Sequence, residues 1–496
     1  MISKNLLLLF LGQLVVVTAP MAKIDSQKSA AGPKKDVASK DDAASDKKSK
    51  NGSKPNGGQN TLKTILESAL RYNKDIKVQD NEVKARHEDI ASAKAAFLPH
   101  LTAEVGHSSS DKKTHSTNKN NDDTPDHRVK DKVNTAKVQA TYNLYRGGAD
   151  KAAYDEAHCQ ARAAWAARTA KMQQILRDVS VAYFTIIAKQ KEVSHLKSLL
   201  KARRESSDVA RRMLQAGTAK ELDVLQADAA ASETEAKVAK AESEYTAYCA
   251  QFKAMTGMPM PVNPTIPAKM FDDGMSEDHA ITIAVGNNPE IRAKIEECSA
   301  ARFMVKKPNT EFCPSADVTA SVEKSRRSSV NKNDPHQANY PATTSCSMGI
   351  TVTVPIYDGG GGRANVRKAQ AILARANEER DRAVDNIKAE VHATWAAIGA
   401  AKGNIASATK AVELRERVLH DTMEEYRAGV KIMKDVLEAQ SQLFESQSLL
   451  IQAEEQYFAN QCRALALLGR MDPQYLKIQD SGFDYMDHYK KTRAKI

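Results

Sequence analysis

Most of this chain is written twice. Tyr145-Arg-Gly-Gly148 returns as Tyr357-Asp-Gly-Gly360, and Gln215-Ala-Gly217 returns as Arg427-Ala-Gly429, both at an offset of 212 residues. Between these marks Met172, Val179, Ile186, Val193, Leu200 and Leu214 follow a seven-residue step, and Val384, Val391, Ile398, Ile405, Val412, Leu419 and Tyr426 repeat it at the same offset. An offset kept over that distance means duplication of one large structural unit. Any fold for this chain must therefore hold two copies of it.

Each copy opens with helical sequence, Leu62 to Phe97 in the first and Ser276 to about Lys306 in the second. Asn73-Lys-Asp75 and Asn288-Pro-Glu290 interrupt it, so the spacing predicts a short helix, a turn and a longer helix, stopped by Pro99 and Pro314. The two prolines lie 215 apart, which predicts a small insertion in the second copy ahead of its strands. The period then changes to two. Leu101, Ala103 and Val105 alternate with polar neighbours, as do Val138, Ala140, Tyr142 and Leu144; Ala316, Val318, Ala320 and Val322; and Met348, Ile350, Val352, Val354 and Ile356.

These are four strands with one apolar and one polar face each. Soluble hairpins lying on a core would alternate too. Two features favour a membrane instead: runs of about nine to eleven residues, enough for a tilted strand to cross a bilayer, and long polar loops, Ser108 to Asn134 and Lys324 to Thr344. Four strands cannot close a barrel, and an open edge cannot face lipid. A barrel shared between subunits follows, three copies giving about twelve strands. On that reading Val138, Ala140, Tyr142, Leu144, Ile350, Val352 and Val354 face lipid, while Gln139, Thr141, Asn143, Thr351 and Thr353 face the lumen.

A glycine corner follows each second strand, Gly147-Gly148 and Gly359 to Gly362, and then a helix of about 100 Å, Ala149 to Gln215 or Arg363 to Ala428. The heptad seams pack such rods side by side as a coiled coil. After Gly217 and Gly429 the seam restarts at Val224, Ala231, Val238, Tyr245 and Phe252, and at Val436, Leu443, Leu450, Tyr457 and Ala464. These two glycines are expected to cap the first helix and turn the chain back antiparallel.

Composition agrees with long helices. Only 5% of the 496 residues are aromatic, and Ala, Glu, Lys, Gln and Leu dominate long stretches. Met1 to about Ala22 reads as a secretory signal, with Lys4 before an apolar stretch from Leu6 to Val17 and small residues at Ala19 and Ala22. That stretch is short for an uncleaved membrane anchor. Lys23 to Asn60 has almost no large apolar side chain and is expected to be disordered. The formal charge of +11 draws on this tail and on lysine-rich loops, not on one basic face interleaved with aromatics, so nucleic acid is not an expected partner. The domain plan is 1–22 signal, 23–60 lead segment, 61–258 first repeat, 259–275 linker, 276–471 second repeat and 472–496 C-terminal tail.

The ordered, doubled set of marks resembles the TolC family of outer-membrane efflux channels. The resemblance covers about residues 61 to 471 and rests on the corners Asn143-Leu-Tyr-Arg-Gly-Gly148 and Val354-Pro-Ile-Tyr-Asp-Gly-Gly360, and on the tip sequence Tyr426 to Gln440, echoed by Leu214 to Ala227. It implies a mixed α and β fold: a long α-helical coiled-coil tunnel in the periplasm and a transmembrane β-barrel in the outer membrane, shared by a homotrimer. It also implies work with a periplasmic adaptor and an inner-membrane transporter, in efflux of small molecules or type I protein secretion. Asp435 and Glu438 match acidic positions that ring the narrow entrance; Tyr426, Lys431 and Asp223 match positions that tie neighbouring hairpins shut. Asp and Glu just past a helix turn also favour the new helix N-terminus electrostatically, which is the plainer role for the charges there, Glu438 included. Lysine at 431, where the family often has arginine, lacks the planar two-pronged contact.

Other classes fit less well. Gly359 to Gly362 sits where a phosphate cradle would, but lacks the lysine and hydroxyl of a P-loop and the spacing of a dinucleotide fingerprint; positive φ at a tight corner explains it better. The twelve histidines form no ligand or catalytic motif, so neither an enzyme nor a cofactor is expected. A periplasmic coiled-coil adaptor or scaffold is the alternative, but such proteins usually carry one hairpin rather than two. The six cysteines match no disulfide or metal framework, and buried thiols are at least as expected as bridges; only Cys298 and Cys313 lie close in sequence.

Overall fold

A computed structural model describes residues 62–114, 127–261, 264, 274–331 and 334–478. The signal, the 23–60 segment, most of the linker and residues 479–496 of the tail lie outside them. The first repeat comprises α1 (Leu62–Tyr72), α2 (Lys74–Ala95), β1 (His100–Thr114), β2 (His127–Arg146), α3 (Ala149–Gln215) and α4 (Glu221–Thr256). The second comprises α5 (Glu277–Asn287), α6 (Pro289–Asn309), β3 (Ser315–Asn331), β4 (Asp334–Asn339), β5 (Thr343–Thr353), α7 (Gly361–Arg427) and α8 (Met433–Leu467), with a short α9 (Pro473–Leu476) behind it.

The helix breaks have one chemical cause in both repeats. Asn73 accepts a hydrogen bond from the Asp75 N–H at 2.8 Å, and Asn288 one from the Glu290 N–H at 2.8 Å, so each asparagine starts a new helix. The offset is 215 at these caps and returns to 212 at the glycine corners. The three-residue difference therefore falls within the strand segment, not ahead of it as the prolines suggested. Nor does Pro314 end α6: the helix carries Pro308 inside its last turn and stops at Asn309, where Thr310 Oγ1 donates to the Lys307 carbonyl at 2.6 Å.

The strands form one antiparallel sheet in the order β1-β2-β3, with β4 and β5 both paired to β3. Two expectations need correction. Much of the sequence read as loops is strand: β1 runs to Thr114, β2 starts at His127 and β3 runs to Asn331. Beyond the apolar rows both faces are polar, so alternation fades while the backbone ladder continues. The fourth strand is also split, at Tyr340-Pro341-Ala342; proline has no N–H to give the ladder.

Register carries one apolar face across the sheet. Leu101 lies opposite Ala140, Ala140 opposite Ala320 and Ala320 opposite Met348; Tyr142 lies opposite Val318 and Val318 opposite Ile350. The other face holds the rows Thr102-Gln139-Ser321-Ser347 and Glu104-Lys137-Glu323-Ser345. Along β2 the apolar face is the more exposed one, which makes it the convex side of a curved sheet. A register shift between Asn143 and Tyr145 leaves Leu144 as the extra residue of a bulge. Val354 lies beyond the end of β5, outside the ladder, although 59% exposed.

The two 67-residue helices α3 and α7 differ in their surroundings. The main core joins Ile65 and Leu66 of α1, Leu176, Val179 and Tyr183 of α3, Phe252 of α4, Val391 of α7 and Leu465 of α8. On α3 the seam residues Met172, Val179 and Ile186 are all buried. On α7, by contrast, no residue between Ala401 and Tyr426 is buried, and Leu414 and Val418 are exposed. One flank of the second hairpin is thus left uncovered by its own chain. All six cysteines are free; Cys298 Sγ donates to the Ala376 carbonyl at 2.9 Å, and burial pushes the Cys462 thiol up to about 12.

Candidate functional site: the helix-reversal tip

Both reversals are built identically because both end in a glycine with positive φ. Gly217 has φ of 74° and Gly429 of 77°. The Thr218 N–H reaches the Met213 carbonyl at 2.9 Å, and the Val430 N–H reaches that of Glu425 at 2.9 Å, closing each helix C-terminus. Two residues on, the return helix is capped by a carboxylate: Asp223 accepts from the Lys220 N–H at 3.2 Å and Asp435 from the Ile432 N–H at 3.3 Å. Both aspartates thus secure the new helix N-terminus by a direct hydrogen bond, beyond the electrostatic preference read from sequence. Glu438, exposed, accepts from Gln442 Nε2 at 3.2 Å.

Tyr426 packs across both hairpins at the tip. Its side chain is buried with Ala210 of α3, Ala227 of α4, and Met433 and Val436 of α8. Its hydroxyl lies where burial, and then the Asp223 carboxylate, raise its pKa, yet it has no hydrogen-bond partner among the described residues. The structure thus brings Tyr426 and Asp223 together without a bond between them. Lys431 is exposed, and among the described residues its side chain makes no hydrogen bond or ion pair with either.

A polar layer that the sequence reading missed lies deeper along the same helices. Arg203, only 6% exposed, donates from Nη1 to the Ala230 carbonyl at 2.9 Å and to Thr234 Oγ1 at 2.5 Å, and from Nη2 to Ser441 Oγ at 2.8 Å. Gln440 Nε2 donates to Ser206 Oγ at 3.0 Å. Ser207 and Arg211 both donate to Asp228, and these bonds, Ser207's first, hold that carboxyl below its usual range. Three helices of two hairpins are thereby pinned in register. The signal was there: the heptad step from Leu200 to Leu214 passes over Ser207.

At the other end, Gly147, Gly148, Gly359 and Gly360 all have positive φ, and a Cβ on Gly147 would lie 2.6 Å from that of Cys313. The N–H groups of Gly360 and Gly362 are bonded to the chain's own Asp358, whose carboxyl they hold below its usual range. A phosphate would find those donors occupied. Among the described residues, no group of three or more His, Cys, Asp or Glu is placed to hold a metal ion, and no helix is long and apolar enough to cross a membrane.

The doubled hairpins, paired sheet and matching corners agree with comparison to known proteins. The model of the family described as outer membrane efflux protein matches residues 65–258 and 280–470. This chain belongs to that family. Outer membrane efflux protein BepC of Brucella suis biovar 1 (strain 1330) is 26% identical over 436 residues, 88% of this chain and 91% of the relative. Proteases secretion protein PrtF of Dickeya chrysanthemi is 22% identical over 403 residues, 78% of this chain and 83% of the relative. Among solved structures, the Campylobacter jejuni CmeC outer membrane channel matches with a TM-score of 0.70 at 17% identity, covering 86% of this chain and 89% of that one. The fold is that of an outer-membrane channel, its sheet the share of a transmembrane barrel and its hairpins the wall of a helical tunnel. The protein is located in the outer membrane and serves as an exit duct for efflux.

Proposed function

We propose that this chain works as a homotrimer, taking small molecules or secreted proteins from an inner-membrane transporter through a periplasmic adaptor and releasing them across the outer membrane. The observation that carries the trimer is the sheet's pair of open edges, β1 on one side and β4 with β5 on the other. Unpaired backbone groups cannot sit in hydrocarbon, so each edge must meet another copy; three copies make a barrel of about twelve strands, within the usual range of roughly 8 to 26. The uncovered flank of α7 supports the same reading, since a neighbouring chain's hairpin would cover it. The convex apolar face then meets lipid, and the Glu104-Lys137-Glu323 row lines the lumen.

The tip is the gate of this duct. Three copies bring Asp435 and Glu438 around one axis, with Tyr426, Lys431 and Asp223 at the contacts between hairpins. Particle mass in detergent and conductance in planar bilayers test the proposal together. A trimer with a narrow, cation-selective closed state is expected; a monomeric particle, or one without conductance, would overturn it.

A further inference from the structure

The outer strand segments carry more cations on the convex face than on the concave one, which their appearance as loop sequence concealed. Beyond the last fully apolar row, Ala103-Val138-Val322, the convex face continues as Val105-Ala136-Lys324, then His107-Asn134-Arg326, then Ser109-Lys132-Ser328. Lys132, Lys324 and Arg326 are exposed and form no ion pair among the described residues. Lys324 and Arg326 are two residues apart on one strand, and Lys132 sits diagonally across from Arg326, a separation of about 7–8 Å. Lys130 follows on the same face but lies opposite Asp111, the one acid that this face carries in the described part of β1 to β3.

The concave face at the same height is mixed. It holds the row Glu104-Lys137-Glu323 and the Arg327–Asp131 pair at 2.6 Å. Cations therefore accumulate on the side that continues the apolar band, at the end remote from the helices. In an outer-membrane barrel that is the border with the outer leaflet. The opposite border of the band is marked differently, by the exposed aromatics Tyr142, Tyr145 and Tyr357.

We infer that Lys132, Lys324 and Arg326 form a binding site for the phosphate of an outer-leaflet lipid head group, whose acyl chains lie along the apolar rows directly below. Charge complementarity and continuity with the lipid-facing surface identify the occupant: a central Arg326 guanidinium with the Lys132 and Lys324 positions each about 7–8 Å away on either side, above rows that only hydrocarbon can cover. The inference rests on the convex face being the lipid side.

The test uses the full-length channel in detergent, with short-chain phosphatidylglycerol, phosphatidylcholine, a phosphorylated glycolipid and inorganic phosphate as separate probes of thermal stabilisation. Lys132→Gln/Arg326→Gln is compared with Lys112→Gln/Lys137→Gln, which removes the same charge from the concave face. Wild type and the concave-face variant should be stabilised by either phosphate-bearing lipid and not by phosphatidylcholine, the stronger of the two naming the natural source. The convex-face variant should need more of that lipid, by about fivefold for each cation lost. Equal response in both variants, or stabilisation by inorganic phosphate alone equal to that by lipid, would overturn the site. Assembly of Val352→Arg beside Thr351→Arg checks the face assignment independently: if both assemble equally, the face reading has failed rather than the phosphate chemistry.

Discussion

Asp223 and Asp435 occupy the same position of the two repeats, and each closes the first turn of its return helix by accepting the N–H three residues earlier, at 3.2 and 3.3 Å. The carboxylate proposed for the gate is thus also a structural one, and a test must separate the two roles. Asp435→Asn keeps an acceptor for the Ile432 N–H and removes the charge; Asp435→Ala loses both, at a helix cost of about 1 kcal/mol. Asp435→Asn with Glu438→Gln should abolish block by divalent or polycationic ions in planar bilayers while trimers survive. Block that persists in this double variant would leave both residues as helix-end charges only.

Tyr426 makes a sharper distinction. Its ring is packed among Ala210, Ala227, Met433 and Val436, but its hydroxyl has no partner among the described residues. At this level of the tip, packing and not a hydrogen bond of Tyr426 joins the hairpins within one chain. Tyr426→Phe should therefore leave closed-state conductance near wild type, because it removes an unsatisfied group. Tyr426→Ala should lose about 3–5 kcal/mol of packing and raise conductance. A large increase from Tyr426→Phe alone would show instead that the hydroxyl bonds across a subunit boundary, where Lys431→Ser should then add to it.

The duplication, the helical hairpins and the barrel strands were legible because each leaves a period in the sequence. The end of the strands was not, since Ser108 to Thr114 and Lys324 to Asn331 have polar residues on both faces and only the hydrogen-bond ladder extends there. The tip glycines were legible from their doubled positions. The polar layer was not, because Arg203 and Gln440 look like ordinary surface residues of a charged helix until α3 and α8 are brought side by side. Nor was the role of Asp358 legible, because an aspartate before a glycine run reads as an ordinary turn residue until the corner folds the Gly360 and Gly362 N–H groups onto its carboxylate.

The strand register gives a test of the barrel itself. Val352 lies opposite Ala316 on the convex face and Thr351 opposite Asp317 on the concave one. Arginine at mid-depth on a lipid-facing position costs about 2–4 kcal/mol, and much less toward a water-filled lumen. Val352→Arg should reduce heat-resistant trimers in outer-membrane fractions, and Thr351→Arg should not. The reverse order would place the apolar face inside.

The Arg203 layer should tune how readily the two hairpins of one chain separate. Removing the guanidinium by Arg203→Met deletes three hydrogen bonds and leaves the buried Thr234 and the half-buried Ser441 with fewer partners, a loss of about 2 kcal/mol, or roughly 30-fold in the opening equilibrium. Limited proteolysis near Gly217 and Gly429 reads this directly, and cleavage should accelerate. The layer also gives a pH dependence of known sign. Asp228 is ionised and bonded to Ser207 and Arg211 in the folded tip, so its pKa is lowered there relative to the unfolded chain. Its contribution is complete above the ordinary carboxylate range, near 3.9, and is lost as pH falls through the lower folded value. Wild-type tips should therefore loosen on acidification below about pH 4, and Asp228→Asn, already lacking the charge, should show a smaller change over the same interval. Equal acid sensitivity of the two proteins would mean that other carboxylates carry the transition and that the Ser207–Asp228–Arg211 cluster is not a latch.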